Sequence, residues 1–130
     1  MPRSNTAVFP LRDYDLATTI TSGQAFRWRE VDDAWENIIA GRWVRLSVKD
    51  KKLHAQTAKP QKDWQWLTDY LQLEVNLKEI LAAFPKDDPH LAAARKTCRG
   101  LRLLKQDPWE TLAGFICSSN KQIVQIQQII

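Results

Sequence analysis

The hydrophobic pattern changes its period near Pro60, and that change narrows the architecture more than any other feature of the chain. Before it, apolar residues alternate. Val44, Leu46 and Val48 fall on one side of an extended chain, with Arg45, Ser47 and Lys49 on the other, as in a half-buried strand. After it, Trp64, Leu67, Tyr70 and Leu71 recur at helical spacing. Strands first and helices after is the α+β order, in which helices cover one face of an antiparallel sheet. A chain of 130 residues is one domain's worth and can bury a real core.

The strands can be placed by their turns. Residues 8–11 read as an edge strand, because Pro10 is tolerated only at an edge. Residues 13–20 form a short helix or a turn, for which Asp15 can serve as the cap, and Ser22-Gly23 lies in a turn. Residues 25–29 read as a strand with Phe26 and Trp28 on an aromatic face and Arg27 and Arg29 on a cationic one. Asp32-Asp33, Gly41-Arg42 and the charged run 49–52 are turns between the strands 35–39, 43–49 and 53–57. The expectation is an antiparallel meander of four or five strands with one half-buried face.

Four helices then follow the one marked by Trp64, each with a start signal except the last. Asn76 with Glu79 three residues on predicts a helix that buries Leu77, Ile80, Leu81 and Phe84. Asp88-Pro89 opens the next, and Gly100 is placed to end it. Asp107, Pro108 and Glu110 form the strongest start in the chain, leading a face of Leu112, Phe115, Ile116 and Ser119. The apolar run stops at Ser118-Ser119-Asn120-Lys121, and Ile123, Ile126 and Ile130 resume it. That polar break admits two readings: an interhelical turn capped by Asn120, or a turn that pushes Asn120 out of the protein body. The last apolar stretch meets no Gly, Asn or Pro stop, so the chain is expected to be the N-terminal part of something longer.

Charge and composition bear on function. Hydrophobic residues make up 44% and charged residues 26%, a globular balance. The net charge of +4 suits a polyanionic partner. From residue 91 to 106 there is no acid, while Arg95, Lys96, Arg99, Arg102 and Lys105 are present. Such a run either neutralises phosphates or is a solvated helix face. Cys98 and Cys117 lack metal-ligand spacing and suit a reducing compartment. His54 and His90 have no recognisable partner, and no phosphate loop, catalytic triad order or metal cluster appears. No signal peptide or membrane-length apolar run is seen, so an intracellular protein away from membranes is expected.

Two segments carry a resemblance that spacing alone does not supply. Ser22-Gly23-Gln24-Ala25-Phe26-Arg27-Trp28, and Gln106-Asp107-Pro108 followed by Phe115-Ile116-Cys117-Ser118-Ser119-Asn120, resemble the 8-oxoguanine DNA glycosylase family of the helix-hairpin-helix superfamily. The run from Gly100 to Pro108 is similar to the family's approach to that helix. The resemblance extends from about Val8 to the end of the chain. It implies a twisted antiparallel sheet like half of a TATA-binding protein over 1–59, helices packed on it over 60–105, and the start of the helical glycosylase domain over 106–130.

The implied activity is removal of 8-oxoguanine from duplex DNA opposite cytosine, with nicking of the abasic site, after the damaged base is flipped from the stack. Gly23 matches the glycine whose carbonyl recognises the oxidised base, and Phe26 a motif aromatic near the DNA. Asn120 matches the asparagine that fills the space left by the flipped base. Lys121 and Arg102 are expected on the DNA as well. Lys121 and Gln122 stand where further Asn residues are common, and Gln125 where an Arg commonly reads the cytosine, which puts opposite-base selectivity in question.

The family's catalytic Lys and its partner Asp lie in the helix-hairpin-helix part. No Lys here matches that motif, so no catalytic residue, metal or cofactor is expected in this chain. A monomer when full length is expected, in the bacterial cytoplasm and nucleoid or in a nucleus. Two alternatives are a non-catalytic DNA-binding or protein-interaction module of the same sheet type, and a base-excision enzyme for alkylated or mismatched bases. The segment from Ser22 to Trp28 argues against the second.

Overall fold

A computed structural model describes residues 3–130. Five strands form one antiparallel sheet: β1 (Ser4–Pro10), β2 (Arg29–Val31), β3 (Ala34–Ile39), β4 (Arg42–Lys49) and β5 (Lys52–Gln61), in the order β1-β5-β4-β3-β2. Strands β2 to β5 are a meander of hairpins, and β1 closes on the free side of β5. The hairpin turns are tight because both central residues take left-handed backbone: Asp32 and Asp33, Ala40 and Gly41, Asp50 and Lys51. Such turns match the twist of the flanking strands. Pro10 ends an edge strand, as its missing N–H requires.

Two strand expectations change. The first strand starts earlier, at Ser4, and pairs with β5 from Ser4↔Gln61 to Pro10↔Lys52. Residues 25–28 are not strand; β2 begins only at Arg29. Burial there does not separate an aromatic face from a cationic one either: Ala25 and Trp28 are buried, Phe26 and Arg27 half-buried, and Arg29 exposed.

The core lies between the sheet and two short helices, α1 (Leu16–Thr21) and α2 (Gln65–Leu71). Val44, Leu46, Leu53, Leu67 and Leu71 are fully buried within it, alongside Leu16, Ile20 and Trp28. Burying one such side chain is worth about 1.5–3 kcal/mol. Val48 belongs to the same face but is 49% exposed, one pairing short of the hairpin tip that Lys49↔Lys52 closes. Asp15 caps α1 as expected, its carboxylate accepting from the Thr18 N–H at 2.9 Å.

The remaining helices are α3 (Leu77–Ala82), α4 (Pro89–Thr97), α5 (Pro108–Ser118) and α6 (Ile123–Ile129). Asp88 caps α4 and Asp107 caps α5 through their carboxylates. The start of α3 differs from expectation. The Asn76 amide donates to the Glu79 carboxylate at 2.7 Å rather than capping backbone. None of its residues is buried, and Ile80 is 47% exposed. Gly100 does not end α4, whose cap is Cys98. It sits two residues on, with φ +81, and its carbonyl accepts the Asp15 N–H at 2.9 Å. A Cβ there would stand 2.7 Å from the Asp15 nitrogen, so glycine is required for close approach as well as for backbone conformation.

Candidate nucleic-acid interface

The two resemblance segments, far apart in sequence, meet in space, and residues 101–106 join them. That stretch has no regular structure, yet its polar backbone finds partners, as buried backbone must. The Arg102 N–H donates to the Thr19 hydroxyl at 3.1 Å, and the Lys105 N–H to the Tyr70 carbonyl at the end of α2 at 2.9 Å. Gln24 supplies the rest. Its Nε2 donates to the Arg102 carbonyl at 2.6 Å, and its Oε1 accepts the Leu104 N–H at 2.9 Å. One side-chain amide thus makes the donor and acceptor pair that a neighbouring strand would make. In return, Gln106 Nε2 donates to the Gln24 carbonyl at 2.5 Å.

Around this bridge the loop after α1 is fixed residue by residue. Gly23 has φ +88 and is half-buried. An added Cβ would lie 3.9 Å from Ile123 Cδ1 in the first turn of α6, an ordinary contact. The obstacle to a side chain is therefore the backbone angle, not space. The Phe26 ring packs on α5, where a Cβ on Gly114 would come within 3.2 Å of it. Arg27 approaches Glu110 at 3.8 Å. Trp28 Nε1 donates to the Tyr70 hydroxyl at 3.2 Å, and burial pushes the Tyr70 phenol up to about 12.

Arg102 is a correction. It was expected on DNA, but it is buried, and its guanidinium donates to the carbonyls of Arg12, Asp13 and Val75 at 2.8, 3.2 and 2.6 Å. It also lies over the Tyr14 ring, 5.3 Å from the centroid. Burial lowers its pKa, while Tyr14 and Asp13 oppose that shift. Each of its three nitrogens is bonded to a carbonyl of another segment, so it holds the fold together. Arg95, Lys96, Arg99 and Lys105 of the same basic run are exposed.

Asn120 and Lys121 sit on the exposed turn between α5 and α6. Neither helix uses Asn120 as its cap: α5 ends on Ser119 and α6 starts on Gln122. Gln122 and Gln125 form a reciprocal capping box, with the Gln122 N–H donating to Gln125 Oε1 at 3.0 Å. The Gln125 side chain is thereby turned toward its own helix start. The apolar face expected on α5 is outward: Leu112, Phe115 and Ile116 are 49%, 75% and 59% exposed, while Gly114 is buried. A cleft of about 330 Å³ opens beside the loop, lined by Phe26, Arg27, Arg29, Trp43 and Gln127 among others.

Sequence reasoning missed the parts played by Gln24, Gly114 and Arg102. The signal for Gln24 was present, a long amide beside a turn glycine, but its partners lie about eighty residues away. Among the described residues no group of His, Cys, Asp and Glu could hold a metal ion, and no helix is long and apolar enough to cross a membrane.

Comparison with known proteins bears on what this arrangement is. The chain is similar to the N-glycosylase/DNA lyase OGG1 of Arabidopsis thaliana, 32% identical over 94% of this chain and 36% of that protein. It is 42% identical to the N-glycosylase/DNA lyase of Saccharomyces cerevisiae over 88% of this chain and 34% of that one. The chain therefore spans about a third of the length of these relatives. Among solved structures it is similar to MBOgg1 in complex with a low-affinity DNA ligand, with TM-score 0.88 and 30% identity, over all of this chain and 45% of the other. The apo 8-oxoguanine glycosylase/lyase of Clostridium acetobutylicum shares the fold, with TM-score 0.84 and 23% identity over 96% of this chain and 44% of that one. The profile of the family described as 8-oxoguanine DNA glycosylase, N-terminal domain, matches residues 7–112, which include the Gln24 bridge and both ends of the 101–106 connection; on that match the chain belongs to the 8-oxoguanine DNA glycosylase N-terminal domain family.

Proposed function

We propose that this chain forms the lesion-recognising part of a base-excision-repair DNA N-glycosylase and lyase that acts on 8-oxoguanine opposite cytosine in duplex DNA. The observation that carries the reading is the left-handed Gly23, next to the Gln24 bridge and facing Ile123 in the first turn of α6, the helix that follows the exposed turn of Asn120 and Lys121. A backbone carbonyl suits the task. Normal guanine presents N7 as an acceptor. Oxidation at C8 puts a hydrogen on N7 and makes it a donor. The Gly23 carbonyl would then attract the lesion and meet a lone pair on normal guanine, discriminating by attraction and repulsion together. Such a contact is worth about 1–3 kcal/mol when the alternative leaves a buried group unsatisfied.

Phe26 would line the approach to the flipped base. The Asn120 amide both donates and accepts, as a group replacing a base partner must. Lys121 would contact phosphate, together with the exposed cations of α4. No residue of this chain is assigned the nucleophile. In this reading the catalytic Lys and its Asp lie in the two thirds of the relatives' length that the match leaves uncovered. The enzyme would act as a monomer where the DNA is, in a nucleoid or a nucleus.

The test uses the longest natural polypeptide carrying these residues. Single-turnover excision is measured on a duplex with 8-oxoguanine opposite cytosine and on the undamaged duplex, with borohydride added to trap a covalent adduct. Excision and trapping on the lesion alone are expected. Salt-dependent DNA binding with no excision or adduct would favour a non-catalytic DNA-binding module instead.

A further inference from the structure

The geometry points to Gln24 as the positioning residue that aims the Gly23 carbonyl, an inference that rests on the function proposed above. The carbonyl of Gly23 and the N–H of Gln24 share one planar peptide unit, so anchoring the Gln24 side chain and carbonyl on both sides narrows the directions that the Gly23 carbonyl can take. No strand does so, since regular pairing begins only at Arg29. Gln24 is instead held on both sides. Its side chain bonds the Arg102 carbonyl and the Leu104 N–H, and also Ser22 Oγ at 3.0 Å and the Thr19 carbonyl at 3.3 Å. Its own carbonyl takes the Gln106 amide.

Both anchors are themselves rigid. Arg102 is tied to three carbonyls of other segments, and Gln106 directly precedes the Asp107 cap of α5. The same helix carries Gly114, on which Phe26 rests. One amide thus sets the lesion-reading loop and the α5–α6 turn in a common frame. Its chemistry is specific. Glutamate at this position would keep the acceptor toward Leu104 but set an oxygen against the Arg102 carbonyl, and methionine would keep only the length.

The test compares Gln24→Met, Gln24→Glu and Gln106→Met in the full polypeptide. Three readouts are taken: single-turnover excision of 8-oxoguanine, strand cleavage at a preformed abasic site in the same duplex, and thermal stability. Abasic cleavage needs no reading of the base. Gln24→Met is expected to lower excision about tenfold or more, as a misplaced recognition group does, while abasic cleavage falls by about threefold or less. Gln24→Glu should behave similarly, and Gln106→Met should show the same split at smaller size. If Gln24→Met does not fold, Gln106→Met decides. Equal losses in both reactions that track the fall in stability, or no loss in either, would overturn the positioning role. A wild-type polypeptide that itself fails to prefer the lesion would instead sink the proposed function.

Discussion

The inner face of the sheet and the outer face of α5 carry similar side chains to opposite fates. Val44, Leu46 and Leu53 are fully buried, whereas Trp109 and Phe115 are 72% and 75% exposed. Periodicity announced both segments equally well. It reports that one side of an element is apolar, not that anything in reach covers it. The sheet with α1 and α2 is self-covering, because hairpins bring its strands together locally and α2 closes the inner face. Helix α5 turns Gly114 inward against Phe26 and leaves Leu112, Phe115 and Ile116 outside. The candidate interface lies on the seam between the two regions, where polar groups rather than apolar packing set the geometry.

If that contrast is right, the largest loss comes from the seam itself. Arg102→Met removes a guanidinium bonded to three carbonyls and should destabilise by about 4 kcal/mol, since charge-assisted bonds are worth about 1.5–3 kcal/mol each and do not add fully. Urea unfolding measures it; unchanged stability with weaker DNA binding would return Arg102 to the DNA surface. Next is Leu67→Ala in the covered region, expected to cost about 3 kcal/mol through the cavity it leaves. A cost below about 1 kcal/mol would show that the inner face is loosely packed.

Smaller effects belong to the outer region. Gln125→Ala opens the capping box on Gln122 and should cost about 1 kcal/mol, seen as faster amide hydrogen exchange in the first turn of α6 with the sheet unaffected. The smallest is Phe115→Ser in the isolated 130-residue chain, expected within about 0.5 kcal/mol of wild type because the side chain is exposed. A loss of several kcal/mol there would mean that the face is covered after all, and the contrast between the two regions would fail.

Local chemistry was legible in the sequence. Asp15, Asp88 and Asp107 cap the helices expected of them, because an N-cap acts within three residues. The α+β order was legible for the same reason, since each period reports one local surface. Contacts made over long separations were not. The sequence of residues 25–29 alternates like a strand, yet pairing begins only at Arg29, and the residue before them, Gln24, is bonded to 102–104 instead. Asn76 satisfied a capping pattern but spends its amide on Glu79. A run of cations cannot say which one turns inward, and Arg102 did. The parts proposed for Gly23, Phe26, Asn120 and Lys121 came from resemblance, and spacing alone would have left Gly23 a turn glycine.

Gly23→Ala in the full polypeptide tests the central claim most directly. The measurement is the ratio of single-turnover excision from the 8-oxoguanine duplex to that from the undamaged duplex, alongside thermal stability. Alanine has room beside Ile123 but resists φ +88, so the carbonyl should rotate away from its native direction. The account predicts that the ratio falls by about tenfold, the equivalent of one lost hydrogen bond. A ratio that stays at the wild-type value while stability alone declines would make Gly23 a turn residue and contradict the recognition role.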